Sequence, residues 1–92
     1  MATYLMFGKY TLEALKGISA KRTEEAQALI KQYGGEMKAA YALLGETDLV
    51  LIVDLSDNKQ AMKLSAAMAQ KFSIAFTTAP AVSVEEFDKL LG

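Results

Sequence analysis

The stretch TDLVLIVDL at residues 47–55 constrains the fold most, because it contains an unbroken run of large aliphatic residues. Its Leu, Val and Ile content predicts a β-strand. Side chains alternate between the two faces of a strand, so Leu49, Leu51 and Val53 lie on one face. Val50 and Ile52 then lie on the other face. Because a strand with one solvated face normally alternates apolar with polar residues, this strand needs apolar cover on both faces.

Three further segments, 1–10, 36–44 and 73–82, are also predicted strands with apolar residues on both faces. In the first and last, Leu5 and Phe7 oppose Tyr4 and Met6, and Ile74 and Phe76 oppose Ala75, Thr77 and Ala79. In the second, Met37, Ala39, Tyr41 and Leu43 oppose Ala40, Ala42 and Leu44. We therefore expect a second copy to cover one sheet face. The alternative is that some of these side chains are simply exposed, as apolar atoms often are.

Helices are predicted between and after these strands, each with a start signal. Thr11 caps a short helix over residues 12–16, and Ser19 opens a long helix that reaches about residue 33, before Gly34. A second long helix over 57–72 begins at Asp57, and a final helix over 84–91 follows a capping box whose first residue is Ser83. The apolar residues of the long helices recur at helical spacing.

The order β, α, β, β, α, β with a short terminal helix predicts a ferredoxin-like α+β fold. Its four-stranded antiparallel sheet carries the helices on one face. We expect residues 1–92 to form one such domain, and two copies to join through the uncovered sheet face as a dimeric α/β barrel or a higher homo-oligomer.

Composition excludes several function classes. The chain has no cysteine and no histidine, so disulfides, Cys/His zinc sites and histidine-based catalysis are excluded. A net charge of −1 does not favour nucleic-acid binding, and no apolar run is long enough to predict a membrane span. No glycine-rich nucleotide loop or metal-binding carboxylate pattern is present, so we expect no cofactor and no metal. Without a targeting signal, a cytoplasmic location is expected.

Four polar side chains are candidates for ligand contacts. Tyr4 and Tyr41 each offer a phenol from a strand, but each is also typical of a core or interface residue with its hydroxyl at the rim. Lys9 ends the first strand. One interpretation is that it contacts an anion or forms a Schiff base, and the other is that it is a solvated residue at a strand end. Asp48 begins the third strand. One interpretation is that it orients a ligand or acts as a base, and the other is that it accepts hydrogen bonds from local N–H groups and fixes the hairpin.

Three separated segments resemble the GYD-domain family: ATYLMFGKYTLEALKGI, AAYALLGETDLVLIVDL and VSVEEFDKLL. The family is named for a glycine, a tyrosine and an aspartate near this hairpin. Gly45 and Asp48 fit that motif, whereas Thr47 occupies the tyrosine position, so any ligand contact from that phenol is lost or altered. The resemblance implies a dimeric α/β-barrel relative of small monooxygenases, muconolactone isomerases and the ligand-binding domains of Lrp/AsnC regulators, with no established activity.

The alanine-rich inner faces favour a domain that binds a small apolar or aromatic molecule between sheet and helices, with Tyr4, Lys9, Tyr41 and Asp48 as polar contacts. One alternative is a cofactor-independent monooxygenase or isomerase, so the sequence leaves open whether the protein is an enzyme. Another alternative is an effector-binding domain that acts in trans with a regulator, because no DNA-binding segment is recognised in this sequence.

Overall fold

The computed structural model describes residues 1–92 and confirms the ferredoxin-like α+β arrangement. The elements in chain order are β1 (Ala2–Tyr10), α1 (Leu12–Lys16), α2 (Ala20–Gln32), β2 (Glu36–Ala42), β3 (Leu49–Leu55), α3 (Asn58–Phe72), β4 (Ile74–Ala81) and α4 (Val84–Leu91). The four strands form one antiparallel sheet in the order β2-β3-β1-β4. The central hairpin strands are shorter than predicted, because the connection between β2 and β3 includes residues 43–48.

Each helix begins at the predicted cap, where a side-chain oxygen accepts a hydrogen bond from a backbone N–H three residues ahead. The caps of α1, α2, α3 and α4 are Thr11, Ser19, Asp57 and Ser83. These bonds satisfy N–H groups that have no partner inside the helix. The local sequence therefore determines where each helix starts.

The two long helices pack on one side of the sheet, which we call the covered face. β1 lies in the middle, and its Met6 stands opposite Leu51 of β3 and Thr78 of β4. Buried side chains of the covered face pack against buried side chains of the helices. The strands contribute Tyr4, Met6, Leu51, Val53, Leu55 and Ile74, and the helices contribute Leu29, Ile30, Ala61, Leu64, Met68 and Phe72. Burial of this apolar surface is the main stabilising contribution to the fold.

The opposite side of the sheet, which we call the open face, has no helix packed on it. It presents Leu5 and Phe7 from β1, and these stand opposite Ile52 and Val50 of β3. Phe7 is exposed, and Leu5, Val50 and Ile52 are only half-buried. The open face is therefore an apolar surface in contact with solvent in the isolated chain.

The prediction for the faces of the second strand is wrong at one point. Met37 pairs with Val53 of the covered face, whereas Ala39 pairs with Ile52 of the open face. The register shifts between these two residues, where Lys38 is the extra residue. Such a bulge changes the face of every later side chain, so Met37 packs on the core while Ala39 and Tyr41 lie on the open face.

Two smaller findings complete the architecture. Pro80 lies in β4, which is an edge strand, as expected for a residue that has no N–H to donate to a neighbouring strand. None of the helices combines the length and apolarity needed to cross a bilayer.

Candidate functional site

A cleft of about 430 Å³ opens between α3 and the covered face of β1 and β4. Its apolar lining consists of Ala61, Met62, Phe76 and Pro80, together with the ring of Tyr4. The cleft forms here because α3 carries small residues at the positions that face the strands. No charged side chain lines it, so a ligand would meet apolar walls and a few neutral polar groups.

Tyr4 and Asn58 form the first polar pair of the cleft. Tyr4 is almost completely buried, and its hydroxyl donates a hydrogen bond of 2.6 Å to Oδ1 of Asn58. Asn58 is the first residue of α3, which the cap residue Asp57 holds in place. Because the phenol oxygen donates its only proton to Asn58, its lone pairs remain able to accept a hydrogen bond from a ligand.

Ser65 and Thr78 form the second polar pair, with 2.7 Å between their hydroxyl oxygens. Ser65 also donates to the backbone oxygen of Ala61 at 2.8 Å. A serine hydroxyl has one proton, so Thr78 must donate to Ser65 when Ser65 donates to Ala61. Oγ1 of Thr78 therefore also keeps lone pairs that can accept from a ligand. Both polar pairs present hydrogen-bond acceptors at the cleft.

Asp48 lies outside this cleft and is held by the backbone. Its Oδ2 accepts a hydrogen bond of 2.9 Å from the backbone N–H of Tyr10. Its own N–H donates to the oxygen of Gly8, and its backbone oxygen accepts from the N–H of Leu43. Asp48 thus ties the β2–β3 connection to the end of β1.

The other residues predicted to form the family motif lie in the same connection. Gly45 has φ of +142°, a backbone conformation that disfavours residues with a Cβ. Thr47 is half-buried. The side chain of Lys9 reaches this connection and donates to the backbone oxygen of Glu46 at 3.3 Å. Lys9 and the motif therefore form one structural unit at the Tyr10 end of the sheet.

The structure does not bring the four predicted contact residues together. Tyr41 is 59% exposed and lies on the open face opposite Val50, so the sheet separates it from the cleft. Lys9 and Asp48 lie at one end of the sheet, and only Tyr4 lines the cleft. The ligand contacts assigned to these residues stay predictions.

Sequence reasoning missed Asn58, Ser65 and Thr78. A signal existed on α3, where Ser65 interrupts the apolar stripe that begins at Ala61, four residues earlier. A polar residue at that spacing shares a face with the core positions. Thr78 carried no comparable signal, because threonine is common in strands.

Comparison with known proteins agrees with this architecture. The fold and its neutral cleft define a small α+β domain with a ferredoxin-like sheet. The family model for the GYD domain matches residues 4–91, nearly the whole chain. The chain therefore belongs to the GYD-domain family. Among curated proteins, none has a sequence that matches this chain.

Two solved structures share the fold at low sequence identity. The leucine response regulatory protein LrpA of Mycobacterium tuberculosis is 11% identical, with a TM-score of 0.59 over 89% of this chain and 51% of that protein. A crystal structure of a glutamate-to-alanine mutant is 12% identical, with a TM-score of 0.58 over 89% of this chain and 50% of the mutant chain. The chain thus spans about half the length of either structure. At this identity the likeness concerns the fold alone.

Proposed function

We propose that this protein is a homodimeric domain that binds a small, mostly apolar molecule in the cleft between α3 and the sheet. The observation that carries the proposal is the cleft itself, whose apolar walls surround two neutral polar pairs. Its volume of about 430 Å³ lies within the range of small-molecule sites. The residues that bind the ligand are then Tyr4, Asn58, Ser65 and Thr78.

The hydrogen-bond pattern favours a ligand that has at least one donor. The lone pairs of Tyr4 and Thr78 are acceptors at the wall of the cleft. Phe76 and Pro80 offer flat apolar surface to an aromatic ring. An aromatic alcohol or a similar ring that bears an O–H or N–H group matches both features. A charged ligand is disfavoured, because no charged side chain lines the cleft to compensate for its desolvation.

Dimerisation through the open face is supported by the apolar side chains that this face leaves in water. Leu5, Val50 and Ile52 are half-buried within one chain, and Phe7 is exposed. A second open face packed against them would remove their remaining apolar surface from water at about 25 cal/mol per Å². The two long helices cannot provide this cover, because both pack on the other side of the sheet.

Binding can be tested with two naphthalene probes that differ in one donor. We expect 2-naphthol to bind the protein more tightly than 2-methoxynaphthalene, which lacks the hydroxyl proton. Probe fluorescence is easy to follow because the chain contains no tryptophan. Replacement Ser65→Leu fills the cleft and should abolish binding, whereas Ala66→Leu on the exposed side of α3 is the matched control. If Ser65→Leu binds 2-naphthol as tightly as the native chain, the cleft is not the site.

A regulatory role in trans is a second candidate, favoured by the fold shared with about half of the leucine response regulatory protein. In that case the chain would bind its ligand and then act on a separate regulator. The monooxygenase or isomerase alternative has less support, because Tyr4 is the only ionisable side chain that lines the cleft. Incubation of the protein with 2-naphthol in air, followed by mass spectrometry of the small molecules, separates binding from turnover.

A further inference from the structure

The terminal helix α4 has an apolar side that is largely exposed in the isolated chain. Its four large apolar residues are between 50% and 76% exposed: Val84, Phe87, Leu90 and Leu91. Residues 84, 87 and 91 follow the spacing of one helical stripe, and no residue of α4 is buried. An eight-residue helix is only marginally stable in water by itself, so this stripe needs a surface to pack on.

α4 stands beside the open face. A shallow groove of about 540 Å³ is lined by Thr3 and Leu5 of the open face, by Val82 in the link between β4 and α4, and by Glu86 in the first turn of α4. Two residues link the end of β4 to the start of α4, so the helix cannot move far from that end of the sheet. The apolar stripe of α4 is therefore held near the rim of the surface that we propose as the dimer interface.

The area of the open face can be compared with the area of a standard protein interface. Four strands of about seven residues cover roughly 19 Å by 23 Å, a flat footprint of about 440 Å². A standard protein interface removes about 800 Å² of accessible surface from each partner. A flat footprint underestimates accessible surface, so the open face is an interface of moderate size that an adjoining strip would enlarge. α4 would add a strip about 12 Å long.

The charges of α4 favour a protein partner over a membrane. Its polar side carries Glu85, Glu86 and Asp88, while its single cation, Lys89, forms an ion pair with Glu85 at 3.5 Å. Amphipathic helices that lie on anionic membranes are instead rich in Lys and Arg on the polar side. The occupant that fits an exposed apolar stripe held near the rim of the open face is a second copy of this chain.

We propose that α4 is part of the homodimer interface and packs its Phe87–Leu91 side against the partner copy at the rim of the open face. This inference rests on the proposed dimer, because α4 extends that interface and does not replace it. Phe87 is the main anchor, since a large aromatic side chain that becomes buried at an interface contributes most.

Sedimentation equilibrium of the full-length chain tests the proposal. The double variant Phe87→Ser/Leu91→Ser should keep its fold, because neither side chain is buried. We expect it to raise the dimer dissociation constant about 10- to 100-fold. Ile52→Lys on the open face should give a monomer. Leu12→Ser is the control, because Leu12 is about as exposed as Leu91 but lies on α1, and it should leave the dissociation constant unchanged.

The outcomes separate this inference from the dimer on which it rests. A native chain that is monomeric at high concentration overturns both. A dimer that Ile52→Lys disrupts, but that the α4 variant leaves unchanged, overturns the role of α4 and preserves the open-face dimer. If the α4 stripe drives co-sedimentation with phosphatidylglycerol vesicles while the dimer is unaffected, a membrane is the occupant and the proposal is wrong. Circular dichroism confirms that each variant is folded.

Discussion

The two faces of the sheet carry similar aliphatic side chains but have different surroundings. Leu51 and Ile52 are neighbours on β3, yet Leu51 is 5% exposed among the helices while Ile52 is half-buried on the open face. The same difference separates Met6 from Phe7 on β1. The comparison shows that side-chain composition does not decide which face becomes the core of the chain. The placement of the helices decides it.

The helices share one side because of how they connect strands. α2 leads from β1 to β2, and α3 leads from β3 to β4. Crossover connections between parallel strands of one sheet are almost always right-handed, so in this topology both helices arrive on the same side. The open face is left without cover by the chain's own connectivity. Its surface is then available for a second copy.

Truncation of a covered-face residue should give the largest effect on stability. Leu51→Ala removes a buried side chain and leaves a cavity in the core. We expect the free energy of unfolding to fall by about 2–5 kcal/mol at any protein concentration. Urea unfolding followed by circular dichroism measures this. A loss below about 1 kcal/mol would show that the covered face is not tightly packed.

Removal of the carboxylate of Asp48 tests the hydrogen bond that ties the β2–β3 connection to the end of β1. Asp48→Ala leaves the backbone N–H of Tyr10 without its acceptor, and we expect a loss of about 1–3 kcal/mol. Asp48→Asn retains an oxygen at that position and should cost less. Urea unfolding of both variants makes the comparison. Equal losses in the two would mean that the negative charge, and not the hydrogen bond, is what matters.

A smaller effect is expected for Tyr4, whose hydroxyl lies at the edge of the covered face. Tyr4→Phe keeps the buried ring but removes the hydrogen bond to Asn58, so stability should fall by about 0.5–1.5 kcal/mol. Tyr41→Phe on the open face is the matched control and should have no measurable effect in a dilute, monomeric sample. Thermal unfolding at several denaturant concentrations can resolve this difference. An identical result for the two tyrosines would contradict a stabilising Tyr4–Asn58 bond.

The smallest effect in the isolated chain should come from the open face. Ile52→Thr should change the stability of a dilute sample by less than about 1 kcal/mol, because the side chain is already partly in water. At high concentration the loss should grow, since dimerisation stabilises the native chain more than the variant. Unfolding curves at two concentrations a hundredfold apart check this. A loss that does not depend on concentration would count against the open face as the interface.

Local sequence was sufficient for the elements and their starting points. Ser19, Asp57 and Ser83 each offer an oxygen to a nearby N–H, and this depends only on residues a few positions apart. The alternation along β1 and β3 was also correct, because these strands are regular over the residues that pair. The antiparallel sheet then followed from the order of the elements.

The bulge in β2 and the candidate site could not be obtained in this way. Nothing in the segment around Lys38 distinguishes a bulged strand from a regular one, and the register depends on which residues of β3 pair with it. In the cleft, Tyr4 lies near Asn58 and Thr78, which are 54 and 74 positions further along the chain. Which polar groups meet there depends on how α3 lies across the sheet.

The sequence by itself determined the helices, the strands and the presence of apolar side chains on both strand faces, because these properties arise from propensities and contacts over a few residues. Only the tertiary structure decided that Leu51 belongs to the core while Ile52 does not, and that Tyr4 meets Asn58 while Tyr41 lies on the other side. These outcomes depend on packing between distant segments, where one register shift or one helix orientation changes the surroundings of many side chains at once.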